Sequence, residues 1–191
     1  MPSQPKTRLT PEEYLAIERK AEYKSEYFNG EMFAMSGASE RHVSIVANIM
    51  YLLVGQLRRR PCKAYASDMR VRVSPTGLYT YPDVVVVCGQ PQFADDQRDT
   101  LLNPTLIVEV LSESSKDYDR GGKFEHYRSL ASLNEYVLIA QDKYHVEHFV
   151  RQPDNRWLLS ETNWLEDTIH LSSIDCDLAL IEVYDKVELP A

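Results

Sequence analysis

The sequence predicts an α+β (α/β) fold in which one mixed β-sheet is flanked by helices, with additional β-hairpins. Three observations support this prediction. Residues 39–59 place apolar side chains at helical spacing, residues 84–87 are four consecutive valines, and residues 104–112 read PTLIVEVLS. A long amphipathic helix beside short apolar strands is typical of a sheet covered by helices. The 191 residues fit one domain, which we expect over residues 10–191 after a flexible segment at residues 1–9.

The first third of the chain predicts a helix, a hairpin and a second helix. Thr10 is a candidate N-cap, followed by Pro11 at the first helical position and Glu13 as its capping-box partner, so a helix should run to about residue 21. Asn29-Gly30 supplies the positive φ angles of a type I′ turn and predicts a β-hairpin. The principal helix follows over residues 39–59. Its apolar stripe is Val43, Val46, Ile49, Met50, Leu53 and Leu57.

The remaining chain predicts the strands of the sheet. From residue 64 the apolar period changes to two, and residues 79–89 (YTYPDVVVVCG) predict one strand covered on both faces. Residues 90–103 predict a polar loop and residues 105–111 the next strand. The C-terminal part predicts a helix from Lys123 to about residue 130, a strand at 134–140, a hairpin at 143–163, a short strand at 169–174 and a last helical turn at 179–187.

Composition narrows the class of protein. The net charge of −8 disfavours a protein that coats nucleic acid by charge alone. Two basic clusters leave room for a local groove, although each could be a solvated helix face. The first consists of Arg58, Arg59, Arg60 and Lys63, with Arg70 and Arg72 soon after. The second consists of Lys116, Arg120, Lys123 and Arg128. The sequence contains neither an apolar run long enough for a membrane helix nor a secretory signal, so we expect a cytoplasmic protein with no membrane partner.

The three cysteines, Cys62, Cys88 and Cys176, are sparse and odd in number. Such a set argues against a disulfide framework, and the absence of a CxxC pair argues against zinc. We therefore expect all three to be small core residues.

Glu109 is the residue of the chain that most needs an explanation. It lies inside the apolar run PTLIVEVLS, and a carboxylate removed from water is costly unless a charged group meets it. The partner could be a metal ion or a basic side chain such as Arg70. The remaining possibility is that this strand is less buried than its composition indicates.

Asp83 and Lys123 give Glu109 a possible chemical role. Asp83 follows Pro82 at the start of the valine strand, and Lys123 lies in the helix after the Glu109 strand. If the strands are neighbours, both carboxylates can project into one cavity, where all-oxygen ligands suit Mg²⁺ or Mn²⁺. A nearby lysine can then hold a water or meet the charge of a phosphoryl group. Alternatively, Asp83 is a turn residue, and Asp119 and Lys123 form an exposed helical ion pair.

At this point the motifs resemble a known family. YPDVVVVCG, PTLIVEVLSESS, DYDRGGKFEHYRSL and NEYVLI together resemble the Uma-type restriction endonucleases, a bacterial family long catalogued as a domain of unknown function. FNGEMFAMSGAS, RHVSIVANIM, SDMRVRV and IEVYDKV extend the resemblance over most of the chain. The family is similar to the PD-(D/E)xK nuclease superfamily. The resemblance therefore implies a restriction-endonuclease-like fold and, as a further expectation, a homodimer.

The resemblance also implies roles for individual residues. Asp83 and Glu109 would be metal ligands, joined by the backbone carbonyl of Val110. The superfamily usually places a lysine two residues after the glutamate, but Leu111 occupies that position here. Lys123, on the following helix, fits the place to which this family has moved the lysine.

Further candidates surround this core set. His42 lies on the principal helix, from which superfamily members often supply an acidic residue. It could bind the metal, bind a phosphate, shuttle a proton, or simply be a hydrogen-bonded histidine at the core rim. Glu31, Asp119 and Tyr127 are possible accessory residues, with Tyr127 expected to pack rather than react.

The resulting hypothesis is a Mg²⁺- or Mn²⁺-dependent DNA endonuclease that releases 5′-phosphate ends. The alternative is a catalytically inactive binding or assembly module that keeps the nuclease fold, which the acidic net charge and the absent strand lysine favour. A hydrolase of small phosphate esters is a third possibility, but nothing in the sequence marks the closed pocket it would need.

Overall fold

The computed structural model describes residues 8–113 and 115–190, and its fold is α+β as predicted. Its helices are α1 (Pro11–Glu18), α2 (Glu40–Gln56), α3 (Lys116–Tyr118), α4 (Phe124–Tyr127) and α5 (Leu180–Val183), and a π-helical turn at Asp119–Lys123 joins α3 to α4. Its strands are β1 (Ser25–Phe28), β2 (Glu31–Ala34), β3 (Cys62–Ala66), β4 (Arg70–Val73), β5 (Leu78–Thr80), β6 (Val84–Cys88), β7 (Thr100–Leu101), β8 (Leu106–Leu111), β9 (Glu135–Ala140), β10 (Val146–Arg151), β11 (Trp157–Thr162), β12 (Thr168–Leu171) and β13 (Cys176–Ala179).

The described strands form three sheets rather than the one mixed sheet expected. A six-stranded sheet in the order β11-β10-β9-β8-β6-β3 is central, with β8 and β9 parallel and the other pairs antiparallel. A five-stranded sheet has the order β2-β1-β5-β4-β7, and β12 pairs with β13. The two larger sheets are therefore mixed, since β4 and β7 are also parallel, and helices flank them, which confirms the expected fold class.

The central sheet is covered on both faces, which explains its continuous apolar strands. Val84 and Val86 pack into the same cluster as α2, α5 and the β12–β13 pair. Val85 and Val87 point the other way, into a second cluster formed with β4, β5 and the helical segment 116–130. Because side chains alternate along a strand, a strand between two apolar layers needs apolar residues at successive positions.

Helix α2 covers one face, with an apolar stripe slightly different from the predicted one. Ser39 caps the helix by accepting a hydrogen bond from the His42 N–H. The stripe is buried at Ile49 and Leu53, and Ile45 extends it, whereas Val43 is exposed. The first turn of the helix borders a cleft rather than the sheet, so the predicted stripe was wrong at that end.

Three predicted elements differ from the structure. Residues 79–89 are two strands, β5 and β6, in different sheets, because Pro82 lacks the N–H that a continuous ladder needs. The loop at 90–103 contains the short strand β7, which pairs with β4. The helix expected to begin at Lys123 begins at Lys116, so Lys123 lies in its interior.

The starts of the N-terminal elements agree with the sequence patterns, although α1 ends at Glu18 rather than near residue 21. Thr10 and Glu13 form the capping box of α1. Asn29 and Gly30 have φ angles of 50° and 86° at the turn of the β1–β2 hairpin. Most of the flexible segment expected at 1–9 lies outside the described residues, but the Leu9 N–H donates to the Gly30 carbonyl at 3.0 Å. Among the described helices, none is both long and apolar enough to cross a membrane.

The expectation about the cysteines was wrong for two of the three. Cys62 and Cys88 are bonded as a disulfide that crosses from β3 to β6. The two cysteines are 26 residues apart in sequence but directly opposite each other in the antiparallel register. Sparse spacing along the chain therefore hid a pair that strand pairing brings together. Cys176 is free and buried, as expected.

Candidate active site

A cleft of about 710 Å³ brings together the residues that the sequence marked for chemistry. It lies between the β1–β2 hairpin, the start of α2, the neighbouring ends of β6 and β8, and the helical segment from Lys116. Asp83, Glu109, Lys123 and His42 all line this cleft. The three elements on which the sequence hypothesis depends therefore meet at one place.

Glu109 is buried, and its partner is Lys123 rather than Arg70. It lies on the same face of β8 as Ile107 and Leu111, toward the helical segment. Its Oε1 is 3.1 Å from the Lys123 Nζ and accepts a hydrogen bond of 2.9 Å from the Tyr127 hydroxyl. The buried charge is thus met by an ammonium group and a phenol.

Arg70 has partners of its own. Its guanidinium pairs with Asp99 at 2.9 Å and donates hydrogen bonds to Thr100 and Tyr81. These contacts fix Arg70 in the five-stranded sheet, so the alternative of an Arg70–Glu109 salt bridge was wrong.

Asp83 is tied to Glu109 and to the backbone of β8. The antiparallel register pairs Val84 with Val108, which places Asp83 beside Glu109. The Asp83 N–H donates to the Glu109 Oε2 at 3.2 Å, and the Asp83 Oδ2 accepts from the Val110 N–H at 2.7 Å. Asp83 is thus the residue that precedes β6 after Pro82, as the turn alternative held. Its carboxylate also bonds to the backbone of β8.

His42 holds the other oxygen of this carboxylate. Its Nε2 is 2.9 Å from the Asp83 Oδ1, and because a carboxylate accepts, Nε2–H is the donor. His42 is thus a hydrogen-bonded histidine at the core rim, and its partner is the residue expected to bind the metal. This contact favours a role in orienting Asp83.

Lys123 is the centre of a buried cluster of charges. Its Nζ lies 3.1 Å from Glu109, 3.3 Å from Glu26 and 3.3 Å from Asp119. The side chains of Lys123, Asp119 and Glu109 are each less than 8% exposed. Asp119 and Lys123 are therefore a buried pair, and the alternative of an exposed helical pair was wrong. Both lie in the π-helical turn, a deviation from α-helix that is frequent at functional sites.

The environment shifts the protonation of this cluster. Burial raises the pKa of Glu109 to about 8; Lys123 opposes this rise, and the charges of Asp119 and Asp83 add to it. Burial lowers the pKa of Lys123, but Glu109, Glu26 and Asp119 outweigh burial and hold that pKa well above 10.5. Lys123 is therefore a permanent cation near neutral pH, and Glu109 is readily protonated unless a second cation is present.

Glu26 is a site residue that the sequence analysis missed, and Glu31 does not join it. Glu26 pairs with Phe33 in the hairpin and also accepts a hydrogen bond from the Thr80 hydroxyl. Glu31 pairs with Phe28, is exposed, and is not among the described residues that line the cleft. Both glutamates are on one face of the hairpin, but Glu31 is about 7 Å further toward the turn. The alternation along β1 places Glu26 on the face opposite the buried Ser25 and Tyr27, but it does not indicate that this face meets Lys123.

Tyr127 packs in the core, as the sequence indicated, and its hydroxyl also donates a hydrogen bond to Glu109. It is fully buried and packs at the edge of the Tyr136 ring. Burial, with the nearby Glu109 charge, raises the pKa of its hydroxyl far above 10, so it remains a donor to Glu109. This hydrogen bond fixes the position of the Glu109 carboxyl group.

The cleft has an excess of carboxyl groups over cations at its base. Glu26, Glu109 and Asp119 surround the ammonium of Lys123, and Asp83 lies beside Glu109. Carboxylate oxygens are the donors that Mg²⁺ and Mn²⁺ prefer, so the donor chemistry fits such an ion. However, no three His, Cys, Asp or Glu side chains within residues 8–113 and 115–190 are arranged as a ready metal site.

The fold matches a solved nuclease-like structure. A crystal structure from Anabaena variabilis, described as a putative nuclease belonging to DUF820, superimposes with a TM-score of 0.76 over 94% of this chain and 99% of that chain. The sequence identity is 15%, so this likeness concerns the fold. The fold therefore belongs to the same α+β class as that structure.

The chain belongs to the Uma2 family, described as "Putative restriction endonuclease", whose family model matches residues 11–180. The resemblance seen in the sequence is thus confirmed. Two relatives come from Synechocystis, the uncharacterized proteins sll1609 and slr1290. Protein sll1609 is 40% identical over 80% of this chain and 86% of its own length. Protein slr1290 is 35% identical over 96% of this chain and 95% of its own length.

Proposed function

We propose that this protein is a Mg²⁺- or Mn²⁺-dependent endonuclease that hydrolyses phosphodiester bonds in DNA. The observation that supports this proposal is the convergence of Asp83, Glu109 and Lys123 in one cleft of a chain that belongs to a nuclease family. Asp83 and Glu109 would hold the ion, with the Val110 carbonyl as a further ligand. The bound ion would supply Lewis acidity and lower the pKa of a coordinated water.

The residues of the chain suggest their own roles in such a reaction. Lys123 keeps its proton, so it serves as a cation beside the phosphoryl oxygens and not as a general base. His42 and the Val110 N–H orient Asp83, and Tyr127 orients Glu109. Attack of water on phosphorus would break the bond to the 3′ oxygen and leave a 5′-phosphate, the outcome that the superfamily resemblance implies.

A basic groove next to the cleft supports DNA as the partner. This groove of about 430 Å³ shares Ser112 with the cleft. Its cationic lining residues are Arg41, Lys116, Arg120 and Lys143, and its acidic ones are Glu113 and Asp142. Lys116 pairs with Glu113 and Arg120 with Glu147, so Arg41 and Lys143 contribute most to its positive charge. Lysine and arginine side chains in such a groove suit the phosphate backbone and make binding sensitive to salt.

The other basic cluster of the sequence lies elsewhere. Arg58 and Arg59 follow the C-terminal end of α2, whereas His42 lies in its first turn. A helix of 17 residues is about 25 Å long. Those arginines are therefore too distant to contact the same phosphate as the site.

The test is cleavage of supercoiled and branched DNA by purified protein in Mg²⁺ or Mn²⁺. We expect activity in the wild type and none in Asp83→Ala, while Asp154→Asn, a change in the β10–β11 turn, serves as the matched control. Equal cleavage by the wild type and Asp83→Ala would assign the activity to a contaminant.

The second candidate is an inactive binding module with the same fold. It is favoured by the absence of a ready three-residue metal site in the described part of the chain. It requires that the wild type cleave none of the substrates with either ion. It also requires that Mn²⁺ show no Asp83-dependent binding.

A further inference from the structure

The rim of the candidate active cleft carries exposed aromatic side chains. We define Tyr23, Phe33 and Tyr118 as the aromatic lip; all three line the cleft and are exposed by 66%, 49% and 41%. Val43, also exposed, adds an apolar surface from the start of α2. Aromatic rings left in water around a polar site form a surface suited to a flat apolar partner.

The aromatic lip is close to the charged cluster. Phe33 is directly opposite Glu26 in the β1–β2 register, so the two side chains are neighbours on one face of the hairpin. The Glu26 carboxylate is 3.3 Å from the Lys123 Nζ. The same Nζ is 6.0 Å from the centre of the Tyr118 ring. Lys123 therefore has the Tyr118 ring on one side and Glu26, the neighbour of Phe33, on another.

Charge alone cannot hold a nucleic acid in this part of the cleft. Among the described residues that line it, the lysines are Lys24 and Lys123. Lys24 pairs with Asp68 at 2.6 Å, and Lys123 is surrounded by three carboxyl groups. A strand that enters the cleft needs another source of affinity, and stacking of bases on aromatic rings provides one.

We propose that the aromatic lip binds unpaired bases of DNA beside the phosphate to be cleaved, which makes single-stranded or locally unpaired DNA the preferred substrate. This inference rests on the function proposed above. In a duplex the faces of the bases are covered by their neighbours, whereas unpaired bases can stack on aromatic side chains. The adjoining basic groove would then receive the backbone that leaves the cleft.

The test is binding of a fluorescently labelled 20-nucleotide single strand and of the matching duplex, measured by anisotropy in EDTA and in Ca²⁺. We expect Phe33→Ala and Tyr23→Ala each to weaken single-strand binding by about 5- to 150-fold, the range for loss of one stacked base, and to change duplex binding less than twofold. Tyr51→Ala is the matched control, because Tyr51 is 81% exposed on α2 and outside the cleft.

A spectroscopic measurement separates stacking from a structural effect. We expect 2-aminopurine in the single strand to be quenched when the wild type binds, and the quenching to be lost in Phe33→Ala. Urea unfolding should give the same midpoint for the wild type and the variants, since these side chains are exposed.

Three results would overturn the inference. They are unchanged single-strand binding in both lip variants, an equal loss for single strand and duplex, and a dimer that Phe33→Ala dissociates without any effect on DNA. Because binding is read without cleavage, stacking by a protein that cuts nothing would refute the nuclease proposal alone. Cleavage of duplex DNA at the same rate by the wild type and by the aromatic-lip variants would refute this inference alone.

Discussion

Replacement of Lys123 by methionine removes the cation at the centre of the buried cluster and keeps most of the side-chain volume. In the wild type the Lys123 ammonium lies within 3.3 Å of carboxylate oxygens of Glu26, Glu109 and Asp119. Removal of one partner from a buried ion pair costs about 3–5 kcal/mol, because the remaining charge has no compensation. Glu109 can take up a proton, so we expect the lower end, about 3 kcal/mol at pH 8.

Urea unfolding followed by tryptophan fluorescence measures this loss. With a slope of about 2 kcal/mol per molar urea, Lys123→Met should unfold at about 1.5 M less urea than the wild type. Lys116→Met is the matched control, since Lys116 forms an exposed pair with Glu113. Exposed pairs contribute little to stability, so the control midpoint should stay close to that of the wild type.

The pH dependence of the difference follows from Glu109. In Lys123→Met the ammonium no longer favours the ionised form, so the folded variant gains protons, and therefore stability, as the pH falls. The pKa of Lys123 lies well above 10.5 in the folded wild type, so its contribution is fully present below pH 10.5. Glu109 is also protonated in the folded wild type below its pKa of about 8, so the penalty should stay nearly constant between pH 6 and pH 7. It should grow above pH 8, where the wild type releases this proton and the variant keeps it. A loss below about 1 kcal/mol at pH 8 would refute the assignment of a buried, paired Lys123.

Three further outcomes are expected. The wild type should lose up to about 1.4 kcal/mol of stability per pH unit between about pH 4.5 and pH 8, because the folded pKa of Glu109 is about 8 and the folded state binds more protons there. Glu109→Gln should flatten this slope, and a parallel curve would contradict the shift. Tyr127→Phe should lower stability by about 1–2 kcal/mol through loss of the hydrogen bond to Glu109, and an unchanged urea midpoint would show that water replaces it. Reduction by dithiothreitol should lower stability by about 2–4 kcal/mol through loss of the Cys62–Cys88 bond. Cys62→Ala should be insensitive to the reductant, and equal responses would contradict the bond.

The fold and the core of the site could be predicted because their signals are local. The Asn29-Gly30 turn, the stripe of α2 and the four valines each determine an element from neighbouring residues. Glu109 stood out because a carboxylate within an apolar strand is costly. Its neighbour Asp83 followed because adjacent strands bring their ends together.

The parts that could not be predicted depend on long-range packing. Glu26 lies 97 residues from Lys123, and only the position of the hairpin over the π-helical turn brings the two together. The Cys62–Cys88 pair depends on the register of β3 with β6, which the spacing of cysteines does not contain. Pro82 ends the ladder locally, but the sheet that β5 joins depends on its pairing with β1 and β4.

Titration of the protein with Mn²⁺ by calorimetry tests the central claim most directly, that Asp83 and Glu109 form a cation site beside Lys123. We expect binding in the wild type and in the Asp154→Asn control, and a loss of at least about tenfold in Asp83→Asn, in the range for a disturbed metal site. Titrations below pH 8 in two buffers should also show release of a proton from Glu109. Absence of binding in the wild type, or equal binding in all three proteins, would contradict the claim.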